Sequence, residues 1–411
     1  MGTGAVTRLF LIAGEASGDA LGAGLIDGLR QLRPDVAVAG VGGEAMRAAG
    51  LDSLFPMSDL SVMGLAEVLH RLPHLLARAR QTTEAALAFA PDALISIDSP
   101  DFGLRVAARV RRRAPAVRLV HYVAPTVWAW RPGRARVLAR RIDQLLALYP
   151  FEPPWFTRHG LRCDFVGHPA AVAPRAGPGE VARFRNGEGL GEGPLLVILP
   201  GSRAGEVARL APRFGAALAL LRARHPGLQA RVVAAPAVAG AVKRAVAGWP
   251  APAGVVDLSA LSPAGAEATR RAAYAAGDVA LAASGTVSLE LARQGTVMVI
   301  GYDTNALTRL IARRMLRTDT VTLVNLLSES RAVPEFLGTE CRPAALATAI
   351  DRLLSDPAAR EAQHGACRAA MARLGEGGDA PGLRAARAVL DGLGAMPDGQ
   401  GGRPTASRMN S

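Results

Sequence analysis

Cysteine is scarce in this chain of 411 residues: Cys163, Cys341 and Cys367 stand far apart, with no C-x-x-C pair among them. That pattern excludes a disulfide framework and a cysteine-built metal site, and it suits a reducing compartment. Lysine is nearly absent too, Lys243 being the only one, so the formal net charge of +13 is carried by arginine. Aromatic residues make up only 4% of a chain that is 50% apolar, so its cores must be built mainly from Ala, Leu and Val. No run approaches the roughly 20 apolar residues needed to cross a bilayer. Glu15 and Asp19 follow the first apolar run too closely for a signal peptide. Also missing are D-x-D, H-E-x-x-H, G-x-S-x-G and the lysine of a phosphate-binding P-loop. A D-x-D metal site for a nucleotide sugar, a zinc protease and a serine hydrolase are therefore unsupported. His70 and His74 have the i, i+4 spacing of zinc ligands, but Pro73 falls between them and no third ligand lies nearby. No metal is expected.

What is present is an alternation of short apolar runs with amphipathic stretches. Candidate strands are 8–13, 36–41, 93–98, 117–123, 144–148 and 162–166, with helical patterns such as 73–89 and 102–113 between them. Strand, helix, strand in series reads as a parallel sheet covered by helices. A Pro- and Gly-rich stretch at 169–193 interrupts the pattern, which then restarts with candidate strands at 195–199, 230–234, 279–282 and 296–300. The expected class is α/β, with two Rossmann-like doubly wound domains facing a cleft: residues 1–168, a linker at 169–193, and residues 194–356. Helices at 357–394 are expected to pack back toward the first domain, and 395–411 to be a disordered tail.

Five segments carry chemistry. "AGEASGD" (Ala13–Asp19) follows the first strand and opens a helix; Glu15, Ser17 and Gly18 there suit either a hydroxylated ligand at free N–H groups or a purely structural turn. "ISIDSPDF" ends a buried strand on Asp98, a carboxylate that is costly to place at a strand tip unless something uses it. Asp101, at the start of the next helix, has an ordinary place as a first-turn acid. "LPGSR" follows the first strand of the second half: Gly201 and Ser202 make a tight polar turn, and Arg203 sets a fixed cation where a phosphate would lie. In "SGTVSLE", Ser284, Gly285 and Thr286 offer hydroxyls and amides at a helix start, and Glu290, one turn on, is placed for a ribose diol; the alternative is an ordinary cap with a solvated glutamate. "VWAWRPGR" sets tryptophans among arginines, a combination able to hold sugar, base or lipid headgroup. Nucleic acid is not an expected partner, because the arginines are spread along the chain and aromatics are too few to interleave with them.

In this order, "AGEASGD", "GVGG", "SVMGLAEVL", "IDSPDF", "YVAPTVWAWRPGR", "FVGHP", "LPGSR", "SGTVSLE" and "VNLL…VPEFL" resemble the lipid-A-disaccharide synthase family, over about residues 9–374. The resemblance implies a glycosyltransferase of the B-type fold that needs no metal or cofactor. It would join UDP-2,3-diacylglucosamine to 2,3-diacylglucosamine 1-phosphate, giving the β-1,6-linked disaccharide 1-phosphate and UDP in lipid A assembly. It also implies Asp98, Arg203 and Asn325 as catalytic residues. Gly201, Ser202, Arg203, Ser284, Gly285, Thr286 and Glu290 would be on the nucleotide, and Glu15, Ser17 and Gly18 on the sugar or acceptor. Because both substrates carry acyl chains, the expected location is cytoplasmic and peripheral on the inner-membrane surface, through residues 61–76 and the basic helices; a homodimer stays open. Another UDP-sugar transferase or an epimerase on the same fold would share the nucleotide motifs, but would have no use for "SVMGLAEVL" or "VWAWRPGR".

Overall fold

The structure is a computed structural model and describes residues 6–60, 65–303 and 318–394. The side chains of the "SVMGLAEVL" block and the tail from 395 lie outside the described residues. Two compact units emerge, one of residues 1–169 with 378–411, the other of 170–377.

The first unit is built on six strands: β1 (Arg8–Ala13), β2 (Ala37–Val41), β3 (Ala93–Ile97), β4 (Arg118–Tyr122), β5 (Gln144–Ala147) and β6 (Arg162–Phe165). They are all parallel, in the order β2-β1-β3-β4-β5-β6. Between them run α1 (Ala16–Leu32), α2 (Glu44–Ala48), α3 (Leu65–Phe89), α4 (Pro100–Arg113), α5 (Gly133–Ala139) and α6 (Pro153–Thr157). Parallel strands covered by helices on both faces read as continuous apolar runs, and β3, with sequence ALISI, is buried at every position. Phe10, Leu94, Val106, Leu119, Leu145 and Phe156 lie in one apolar cluster against this sheet. Helix α3 runs through Pro73, and His74 lies 3.5 Å from Asp59 in an ion-pair position.

The second unit has β7 (Leu195–Leu199), β8 (Gln229–Ala234), β9 (Gly254–Asp257), β10 (Val279–Ala282), β11 (Met298–Tyr302) and β12 (Glu335–Leu337), again all parallel, in the order β12-β11-β10-β7-β8-β9. Its helices are α7 (Pro178–Gly187), α8 (Ala204–Arg224), α9 (Ala239–Ala247), α10 (Pro263–Ala276), α11 (Val287–Gln294), α12 (Leu323–Ser328), α13 (Pro343–Ser355) and α14 (Pro357–Arg373). Phe214 of α8 is fully buried within the cluster formed with Leu196, Ile198, Val232 and Leu281.

Two expectations need correction. The 169–193 stretch is not plain linker, because α7 forms inside it. Pro178 presets the first helical turn, the Glu180 carboxylate accepts the Gly177 N–H at 2.9 Å, and Arg271 of α10 pairs with Glu180 at 2.6 Å. Nor do both terminal helices return to the first unit. Helix α14 packs on α11 and α12, and its buried Gln363 donates to the carbonyls of Met298 and Ala332, at 3.1 Å each. Only α15 (Pro381–Gly394) packs on α1. There Gln144 Nε2 donates to the Ala388 carbonyl at 2.7 Å, and Arg384 to that of Phe165 at 2.9 Å.

Helices α1 and α15 approach so closely because glycines face each other. A Cβ at Gly28 would sit 2.6 Å from the Gly382 carbonyl oxygen and 2.8 Å from Leu383 Cα, both backbone atoms that cannot swing aside. Gly28→Ala should therefore destabilise the first unit by about 1–3 kcal/mol, the range for overpacking, read by urea unfolding; an unchanged midpoint would refute this account of the contact.

Candidate active site

Consecutive βαβ units cross over right-handedly, so the order β2-β1-β3 makes the chain leave β1 in one direction across the sheet and leave β3 in the other. The crevice this opens lies beyond the carboxyl ends of β1 and β3, where ligands bind in open α/β sheets. "AGEASGD" follows β1 and "DSPDF" follows β3, so the topology brings them together. Ser17, in the first turn of α1, donates its hydroxyl to Asp98 Oδ2 at 2.8 Å, and the Ser99 N–H donates to Asp98 Oδ1 at 2.9 Å. Gly18 is buried, with the Ile97 carbonyl 3.1 Å from where a Cβ would stand. Glu15 is exposed at the N-cap of α1 and makes no capping bond with its side chain. Asp19 is buried and does something else: it accepts the backbone N–H groups of Gly43, Ala45 and Met46 at 2.7–3.0 Å, which fixes the "GVGG" turn at the start of α2.

The backbone here is strained. Asp98 (φ 52°), Ser99 (φ 39°) and Val123 (φ 85°) all lie in the left-handed region, and for a β-branched residue such as Val123 this is a true outlier. Strain of this kind persists only where surrounding structure over-determines it, and it gathers at functional sites. Asp101 is exposed in the first turn of α4, whose N-terminus has no side-chain cap.

His121, which the sequence reading passed over, completes this edge. It pairs across the strands with Ser96, its Nδ1 2.7 Å from Ser96 Oγ, and is 1% exposed. Burial pushes its imidazole down to about 4, outweighing the upward pull of the Asp98 charge and of Ser96. The signal that could have found it is a histidine near the end of the strand beside the one ending in Asp98. The two tryptophans of "VWAWRPGR" divide their roles: Trp128 is buried edge-on to Phe151, with ring centroids 5.2 Å apart, whereas Trp130 is 38% exposed under the Arg131 guanidinium.

The second sheet repeats the arrangement at its own switch point, between β7 and β10. Gly201 (φ 116°) turns the chain after β7, and a Cβ there would meet Glu206 Oε2 at 2.6 Å. Glu206, another residue the sequence reading missed, accepts the Ser202 N–H at 3.1 Å; a glutamate at the third helical position is the signal. Arg203 is the N-cap of α8, 74% exposed, with only a 3.5 Å contact to Glu206. After β10, Ser284, Gly285 and Thr286 form the turn into α11, and Gly285 has open space around it. Glu290 lies 3.5 Å from Arg270; burial raises its carboxyl, against the pull of Arg270. Asn325, expected among the catalytic residues, lies in α12. It is fully buried, and both ends of its amide are used by one neighbour: Nδ2 donates to the Val333 carbonyl at 2.9 Å and Oδ1 accepts its N–H at 3.0 Å.

Among the described residues no group of three acidic, histidine or cysteine side chains could hold a metal, and no helix is long and apolar enough to cross a membrane. The family described as lipid-A-disaccharide synthetase matches residues 9–379. The chain belongs to that family. Relatives called lipid-A-disaccharide synthase include that of Ruegeria pomeroyi, 55% identical over 95% of this chain and 96% of its own, and that of Rhodospirillum centenum, 48% identical over 97% and 98%. Among solved structures the chain resembles UDP-GlcNAc 2-epimerase from Neisseria meningitidis bound to UDP-GlcNAc, at a TM-score of 0.62 and 10% identity, over 94% of this chain and 99% of that one. It also resembles trehalose-6-phosphate synthase, at a TM-score of 0.57 and 10% identity, over 95% and 99%. These last two likenesses establish the two-domain fold. Family membership makes the protein a glycosyltransferase of lipid A biosynthesis.

In this synthase-family site, His121 ties stability to pH. Its folded value lies below the ordinary 6.5, so the unfolded chain takes up the proton first, and stability is lost as pH falls from about 6.5 through about 4. Between pH 7 and 4 the wild type should lose about 3 kcal/mol more than His121→Gln, measured by denaturant unfolding; equal losses would refute it.

Proposed function

We propose that the chain transfers a diacylated glucosamine from UDP to the 6-hydroxyl of diacylglucosamine 1-phosphate, with inversion, using Asp98 as general base. The observation that carries this reading is the carboxylate itself, held by Ser17 and Ser99 on strained backbone at the mouth of the β1–β3 crevice. An α-linked donor giving a β-linked product needs one in-line displacement. The acceptor oxygen bonds to the anomeric carbon as the bond to the diphosphate breaks; the bonding pair leaves with UDP and the hydroxyl proton goes to Asp98. The departing charge is met by Arg203, whose side chain is free to reach it, and by the amides of Ser284–Thr286. Glu290 accepts from the ribose, with Arg270 beside it. Ser17 keeps the base oriented, and Glu15 faces the acceptor sugar. Both substrates carry acyl chains, so the enzyme works on the inner-membrane surface, with Trp130 and the arginines that follow it supporting attachment.

Asp98→Asn should keep UDP affinity while turnover falls by at least about 100-fold, within the range for losing a general base. Near-normal turnover would refute the assignment. Arg203→Ala should instead weaken UDP by about 10–100-fold, the range for a charge-assisted hydrogen bond, as read by calorimetric titration with UDP; unchanged affinity would remove Arg203 from the donor site.

A further inference from the structure

A groove of about 650 Å³ runs between α4 and α5 in the first unit, with Pro100, Asp101 and His121 among its lining residues. Five arginines line it. Arg105, Arg109 and Arg112 follow each other at i, i+4 and i+7 along one face of α4, and Arg134 and Arg141 come from α5 and the turn after it. The same helix treats its other arginines differently: Arg111 pairs with Asp143 at 2.5 Å, and Arg113 pairs with Glu84. No carboxylate of the described residues pairs with any of the five, although Asp101 lines the groove with them. Arg109 is the sharpest case, since its Nη1 is enclosed by protein and has no hydrogen-bond acceptor. An ordinary basic surface leaves such donors to water; an enclosed guanidinium nitrogen without an acceptor lacks one of the partners that buried polar groups nearly always have.

We infer that this groove binds a phosphomonoester, and that the phosphate is the one on the acceptor sugar; this rests on the transfer reaction proposed above. Guanidinium groups are the side chains best matched to phosphate, through paired N–H donors. Several of them converging on one groove, with Asp101 the one carboxylate in its lining, repel each other until an anion arrives. The location agrees with the chemistry. Pro100 and Asp101 stand two and three residues after Asp98, and His121 is near enough to Asp98 to feel its charge, so one end of the groove opens beside the strand end that carries the proposed base. The donor's diphosphate has its own cation and amides at the end of the second sheet, so the groove is not needed for it.

The test compares full-length wild type with Arg109→Gln and, as a more exposed second variant, Arg105→Gln, each checked for an unchanged thermal unfolding midpoint. The substrates are the acceptor 1-phosphate and its analogue with a free anomeric hydroxyl. The wild type should prefer the phosphorylated acceptor, and each variant should lose about 10-fold or more of that preference through acceptor KM, with UDP affinity unchanged. Equal preference in wild type and both variants overturns the inference. Soluble glucosamine 1-phosphate, titrated by NMR against plain glucosamine, provides a readout independent of turnover. If the protein transfers no sugar, the proposed reaction fails, while saturable, Arg109-dependent binding of glucosamine 1-phosphate still upholds the groove and its absence overturns it. Cosedimentation with phosphatidylglycerol vesicles separates the other source of phosphate. If the variants lose vesicle binding but keep full acceptor preference, the groove serves the bilayer, and the acceptor assignment is overturned.

Discussion

The strand order of each sheet is the constraint on which the chemistry depends. Right-handed crossovers leave one place in each sheet where successive connections part toward opposite directions, between β1 and β3 in the first and between β7 and β10 in the second. Four of the five chemistry-bearing segments follow one of these four strands, and "VWAWRPGR" follows β4. This strand order is what gathers Ser17 and Asp98, 81 positions apart, into hydrogen-bond contact.

Around the first of these points the protein accepts local strain in return for placement. Left-handed backbone at Asp98, Ser99 and Val123 turns the chain sharply at the ends of β3 and β4. The surrounding core holds it there: β3 is wholly buried, Tyr122 is fully buried, and Ser96 is bonded to His121 across the strands. A carboxylate anchored by a hydroxyl and an amide loses little freedom when a substrate arrives, which suits the role of base proposed for it. Beside it, burial lowers the proton affinity of the His121 imidazole.

Much of this was legible in the sequence. Buried parallel strands announce themselves as apolar runs, and ten of the twelve strands were readable in this way; the two that were not, β9 and β12, are short outer strands of four and three residues. The residues around Asp98, Arg203 and Ser284–Thr286 were legible because polar groups at strand ends break an apolar pattern. Glu206 and His121 were harder to see, since a glutamate in a first turn and a histidine in a strand have many ordinary explanations. That the Asn325 amide is held by Val333, eight residues on, could not be read before the chain has folded.

The sequence by itself therefore determined the class, two successive parallel α/β units, because hydrophobic periodicity is a local property. It also determined family membership, because nine blocks in a fixed order leave little room for coincidence. Only the tertiary structure decided which polar residues meet. It set Ser17 on Asp98, spent Asp19 on a turn and Asn325 on Val333, sent α15 back to α1 while α14 stayed with the second unit, and left five arginines of one groove without a paired carboxylate among the described residues. Such pairings depend on contacts between segments far apart in the chain, and no local pattern carries that information.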